Sequence, residues 1–127
     1  MSILQLLATQ ATVSLATQKR NGDLVLTPLW LAIYGEKLYM RTMKDSAKVH
    51  RIHNFPKVSL APCTWEGDIT GQRYAATARL MPDNEPLVIK AEDALQIKYG
   101  AERSKMTAMM TQQKIALCYI EISLVLP

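Results

Sequence analysis

Within the eight positions Arg41-Thr42-Met43-Lys44-Asp45-Ser46-Ala47-Lys48 lie three cations, two hydroxyls and the expected start of a helix. Helix N-termini carry unpaired N–H groups and a partial positive charge. Thr42 and Ser46 add hydroxyl donors to the cations Arg41 and Lys48, a combination suited to a phosphate group. The same residues also suit a capped helix with a solvated basic face, and spacing alone leaves both readings open. The charge around this segment is concentrated. Lys37, Arg41, Lys44, Lys48, Arg51 and Lys57 face Asp45 alone, a surplus of five in a chain whose net charge is +4. A local basic patch of this kind points to a small anionic ligand more than to a long polyanion.

Thr27-Pro28-Leu29-Trp30 is the second candidate. A proline inside an apolar strand frees a carbonyl and bends the edge, so backbone groups there can face a planar ring. Trp30 suits either a pocket wall or the core. His50 and His53 lie three apart with no third ligand in view, so a surface or packing role is expected and no metal. Met106, Met109 and Met110 read as core filler or a dimer surface. Cys63 and Cys118 read as buried, reduced thiols. No Gly-rich phosphate loop, nucleophile elbow or carboxylate pair is present, so hydrolase chemistry has no support and no catalytic residue is assigned.

The elements that must position these residues follow from periodicity. The chain has 127 residues, 49% of them apolar and 20% charged, which suits one globular domain over 1–127. No apolar run approaches the roughly 18 residues that cross a bilayer, and no signal sequence opens the chain, so a soluble cytoplasmic protein is expected. A short helix is predicted over 2–9 and a strand over Val13–Thr17, followed by a hairpin turn at Asn21-Gly22. Further strands are predicted over Leu24–Tyr34, Lys37–Thr42, Val58–Thr64, Tyr74–Met81 and Ile115–Leu126. Helices are predicted over Ser46–His53, stopped by Pro56, and from Asn84-Glu85-Pro86 to Gly100. The stretch Ala101–Lys114 is helical in composition, with no evident buried face. Six strands joined mostly by tight turns make a mainly β fold, an antiparallel barrel with helical plugs.

This order of pieces resembles the flavin-binding split barrels related to pyridoxamine 5′-phosphate oxidase. It is most similar to the small branch that uses the deazaflavin coenzyme F-420. The likeness runs through Asn21-Gly22, Thr27-Pro28-Leu29-Trp30, Arg41-Thr42, Ser46-Ala47-Lys48 and Val49-His50-Arg51. It continues through Val58-Ser59-Leu60-Ala61-Pro62-Cys63, Ala76-Thr77-Ala78-Arg79-Leu80 and Lys98-Tyr99-Gly100. The resemblance implies a six-stranded antiparallel split β-barrel acting as a homodimer, with a cofactor in each groove between subunits. It implies FMN or coenzyme F-420, with phosphate near Arg41, Thr42, Ser46 and Lys48 and the ring along Thr27, Pro28, Leu29 and Trp30. The activity implied is hydride transfer between that cofactor and a small organic substrate. The longer anionic tail of the deazaflavin would call on further bases, for which Lys44, Arg51 and Lys57 are available. The chain departs from the family pattern at Ala76, often a glycine, and at Asp23-Leu24-Val25, often more basic. A flavin or tetrapyrrole binder without turnover is the alternative. A basic barrel that binds nucleic acid is a weaker one, because aromatics are 6% of the chain and are not interleaved with the basic cluster.

Overall fold

A computed structural model describes residues 2–125. The strands are β1 (Val13–Gln18), β2 (Leu24–Leu29), β3 (Ala32–Tyr34), β4 (Lys37–Met43), β5 (Lys57–Pro62), β6 (Tyr74–Leu80) and β7 (Leu117–Leu124). The helices are α1 (Ile3–Ala8), α2 (Ala47–Asn54), α3 (Leu87–Tyr99) and α4 (Ala101–Gln112). Among the described residues no helix is long and apolar enough to cross a membrane.

All seven strands form one antiparallel sheet in the order β2-β1-β5-β6-β7-β4-β3. Its two edge strands, β2 and β3, are consecutive in the chain and joined by Trp30 and Leu31 alone. Laid flat, seven strands would hold their edges about 29 Å apart at ~4.8 Å per spacing. Three Cα steps allow Leu29 and Ala32 a separation of at most about 11 Å. The sheet must therefore curl until its edges nearly meet, without a ladder between them. That is a split barrel.

The expected single strand over Leu24–Tyr34 is thus corrected to two, giving seven strands where six were expected. The physical reason lies at Leu31. Its N–H donates to the Tyr99 hydroxyl at 3.0 Å, and its carbonyl accepts from Lys98 Nζ at 2.8 Å. Both backbone groups are satisfied by side chains, so the ladder has nothing to continue with. The last strand begins at Leu117, two residues later than expected, and Leu126 lies outside the described residues.

Alternation sorts each strand into two faces. Leu38, Met40, Ala76, Ala78, Ile120 and Ile122 point into the barrel, where they pack with Leu15, Leu60, Leu7 of α1 and Ile52 of α2. Ala76, the departure from the family pattern, is therefore an ordinary core residue. Tyr39, Tyr119 and Met81 lie on the outer side against Leu87, Val88 and Ala91 at the start of α3. Gly100, at φ +57, ends α3 and lets the chain turn directly into α4. The two cysteines are buried and free.

Candidate functional site

The site lies at the split. β3 pairs with β4 only over residues 37–39, so beyond Tyr39 the outer edge of β4 has no neighbouring strand. The outer edge of β2 is likewise unpaired. Between these edges is a cavity of about 90 Å³, walled by Pro28, Leu29 and Trp30 on one side and Arg41 and Thr42 on the other. Leu95 of α3, Arg103, Met106 and Met110 of α4, Leu117 and Trp65 complete it.

Five of the eight expected site residues therefore meet in one cavity. The remaining three stand around it. Lys48 reaches it through Thr42, donating from Nζ to Oγ1 at 2.9 Å. Ser46 sits at the N-cap position of α2, yet its hydroxyl makes no capping bond. Its Oγ is buried and has no hydrogen-bond partner among the described residues. Thr27 is half-buried on β2 opposite Leu15 and is not part of the wall.

Charge at the site is unbalanced. The Arg41 side chain is only 9% exposed and the Arg103 side chain 2%. Glu92 of α3 accepts from Arg103 Nη1 at 2.5 Å and Nη2 at 2.7 Å, and from the Tyr119 hydroxyl. The hydrogen bonds from Arg103 hold the Glu92 carboxyl below its ordinary value of 4.5. Arg41 Nη1 stands 3.7 Å from Glu92, while Nη2 donates to Thr107 Oγ1 at 2.9 Å. One bond engages one of five guanidinium donors, so most of the hydrogen-bonding capacity of Arg41 is unspent. Burial, and then the neighbouring Arg103, push the Arg41 pKa down. Burial, and then Arg51, do the same to Lys48. Arg41 and Arg103 thus share one carboxylate, Glu92, while half-buried Lys48 has no carboxylate within ion-pair distance among the described residues.

The aromatic wall is held rigidly. Trp30 stacks on Tyr99 with ring centroids 4.4 Å apart and planes 7° from parallel. On its other side Trp65 is tilted by 45° at 6.2 Å. Trp65 comes from a tight turn in which the Gly67 N–H donates to the Thr64 carbonyl and Gly67 takes φ +99. A wider basin of about 530 Å³, lined in part by Trp30, Trp65, Met106 and Lys105, adjoins the cavity.

Neither Trp65 nor Arg103 was legible as a site residue. The only sign for Trp65 was a tryptophan beside the Glu66-Gly67-Asp68 turn. Arg103 gave none, because α4 has no apolar stripe and Arg103 is its sole buried residue. Met106 and Met110 line the cavity, whereas Met109 is exposed. His50 and His53 are exposed on α2 and not among the cavity residues.

The sequence profile of pyridoxamine 5′-phosphate oxidase matches residues 2–122. The chain belongs to the pyridoxamine 5′-phosphate oxidase family. No curated protein matches the sequence significantly. Solved structures of this fold are similar at low identity. The heme storage protein HutZ from Vibrio cholerae has a TM-score of 0.73 at 12% identity, over 97% of this chain and 87% of that one. An FAD-binding protein from Mesorhizobium loti has a TM-score of 0.69 at 19% identity, over 99% and 91%. An F-420 reductase has a TM-score of 0.59 at 15% identity, over 99% and 96%. At these identities the likeness concerns the fold. Within the family, the split with its flanking cations is the feature of this chain that has chemical capacity to spare.

Proposed function

We propose that this family member binds a flavin-type cofactor at the split and uses it to exchange a hydride with a small organic substrate. The observation that carries the reading is the surplus of cations: buried Arg41 and Arg103 share Glu92 alone, and half-buried Lys48 has only the Thr42 hydroxyl, beside an unpartnered Ser46 hydroxyl. Unpaired buried cations are costly, and an anionic ligand group removes the cost. Arg41, Thr42, Ser46 and Lys48 would hold the phosphate. Pro28, Leu29 and Trp30 would hold the ring, together with Trp65, which the sequence reading did not include. A cavity of about 90 Å³ suits a phosphate-sized group. A three-ring system needs the adjoining basin, since sites for molecules of that size run from about 300 Å³ upward.

The central cluster suffices for FMN, and the longer anionic tail of coenzyme F-420 would draw on Lys44, Arg51 and Lys57. Lys44 is paired with Asp83 at 2.8 Å, and Arg51 Nε donates to Thr17 Oγ1 at 2.7 Å. Lys44 would have to leave Asp83 to serve that tail, whereas Arg51, with one bond to a hydroxyl, keeps most of its donors. The bound cofactor would supply the redox chemistry. The chain supplies an anion clamp, an aromatic wall that orients the ring, and apolar Leu95, Met106 and Met110 that exclude water. A second copy of the chain completing the groove fits the exposed apolar side chains Leu24, Leu26, Trp65 and Ile69.

An absorbance spectrum of the purified protein, followed by titration with FMN and with coenzyme F-420, tests the assignment. Saturation at about one FMN per subunit is expected, in a dimer by sedimentation. Uptake of neither compound would remove the cofactor assignment. Uptake of FMN with no reduction of any electron acceptor would make the protein a flavin carrier.

A further inference from the structure

We propose that Lys98 is a positioning residue. From outside the cavity it ties the end of α1 and the β2–β3 corner to α3, and so sets where the Trp30 ring stands. The proposal rests on the reading of the split as a flavin site, because its consequence for binding passes through Trp30.

Lys98 Nζ donates to three backbone carbonyls: Ala8 at 2.9 Å, Gln10 at 2.6 Å and Leu31 at 2.8 Å. An ammonium has three donors, so its capacity is used completely. The acceptors share one property. Ala8 is the last residue of α1, Gln10 lies in the loop beyond it, and Leu31 is where the β2 ladder has stopped. None of these carbonyls has a helix or ladder partner waiting for it. An apolar side chain could fill the space around Lys98, but could not satisfy them.

Among the described residues no carboxylate assists. Helix α1 has no titratable residue, the corner Trp30–Leu31 has none, and on α3 the neighbour is Tyr99, whose ring centroid is 5.1 Å from Nζ. Burial alone pushes the Lys98 pKa down to about 8. A half-buried ammonium held by three backbone oxygens acts as a knot between segments.

The next residue extends the knot to the cavity wall. The Tyr99 hydroxyl accepts from Leu31 N–H and donates to the Ala11 carbonyl at 2.7 Å, while its ring stacks on Trp30. Lys98 and Tyr99 therefore grip both backbone groups of Leu31, the residue after Trp30. The origin of the tryptophan and the plane of its ring are fixed from the same helix.

The test compares Lys98→Met, Lys98→Arg and Tyr99→Phe with Ile52→Val, a core change remote from the corner. Three quantities are read: the near-ultraviolet circular dichroism of the ligand-free protein, FMN affinity, and the thermal midpoint. Lys98→Met is expected to change the near-ultraviolet signal at temperatures where the far-ultraviolet signal is native, and to weaken FMN about tenfold. Lys98→Arg, which keeps the cation, should recover part of both. If Lys98→Met lowers only the thermal midpoint, as Ile52→Val should, the proposal is overturned. If Lys98→Met does not fold, Lys98→Arg decides, with Tyr99→Phe measuring what the Tyr99 hydroxyl contributes by itself: an aromatic signal and an FMN affinity in Lys98→Arg equal to those of the wild type overturn the proposal. If the wild-type protein takes up no FMN, the reading of the split falls and the effect on affinity falls with it. The near-ultraviolet comparison still decides whether Lys98 places Trp30.

Discussion

Two clusters of charge stand two residues apart on the same pair of strands. At the register Tyr39↔Glu121, the Glu121 carboxylate accepts from Arg79 Nε at 3.0 Å, the Tyr39 hydroxyl at 3.0 Å and Lys37 Nζ at 3.4 Å. Arg79 also grips Glu85 with both Nη groups at 2.9 Å. Two cations meet two carboxylates there. At the register Arg41↔Tyr119, two cations, Arg41 and Arg103, meet one carboxylate, while Lys48 nearby has only the Thr42 hydroxyl and the Ser46 hydroxyl is left over. The difference follows from the sheet. Glu121 is flanked by β6 and β4, with Arg79 and Tyr39 beside it in register. Arg41 stands on β4 where β3 has ended, so one side of it is open. A closed ladder lets charges settle among themselves, whereas an open edge leaves donors unspent.

The sharpest way to break this comparison is to remove the unspent cation. Arg41→Ala should weaken FMN on the order of tenfold to a hundredfold, with little change in stability, because Glu92 keeps Arg103. Lys48→Ala should act the same way, by about 2 kcal/mol. Fluorescence titration checks both, and an unchanged curve for either takes that residue out of the site. Glu121→Gln should do the opposite. Its loss strips a buried acceptor from Arg79, Lys37 and Tyr39, lowering unfolding stability in urea by about 1–3 kcal/mol while leaving FMN affinity alone.

Acid titration sharpens the same contrast. Arg79 lowers the Glu121 carboxyl and Arg103 lowers that of Glu92, both from an ordinary 4.5. A carboxyl depressed in the folded state leaves the unfolded chain holding more protons near that pH. Its stabilisation is thus present above 4.5 and drains away as pH falls through the lower folded value. Unfolding midpoints should fall below pH 4.5, and less steeply in Glu121→Gln. The smallest effect is expected at Trp65, which is 61% exposed. Trp65→Ala should weaken FMN by about 1 kcal/mol through lost stacking and leave the thermal midpoint unchanged. A large drop in that midpoint would make Trp65 a structural residue instead.

The local half of the site was legible. Arg41-Thr42 and Ser46-Ala47-Lys48 announce themselves because strand end, loop and helix start are contiguous, and Thr27-Pro28-Leu29-Trp30 because proline interrupts an apolar run. The break inside Leu24–Tyr34 was not legible. An apolar run interrupted by a single proline has the same periodicity whether it forms one strand or two edge strands on opposite sides of a split. What ends the strand is Lys98 and Tyr99, some 67 and 68 positions away.

The sequence by itself determined the alternation that sorts Met40 from Arg41, the cationic surplus around residues 37–57, the Gly100 break and the family. These depend on residue type and short spacing, which chain geometry converts directly into faces, caps and turns. Only the tertiary structure decided which cations stay unpaired. Lys44 found Asp83 and Arg103 found Glu92, while Arg41, Lys48 and Arg51 each bond a threonine hydroxyl and keep donors or charge to spare. Pairing is a matter of which side chains the curled sheet brings within about 3 Å of each other, and no spacing along the chain encodes that.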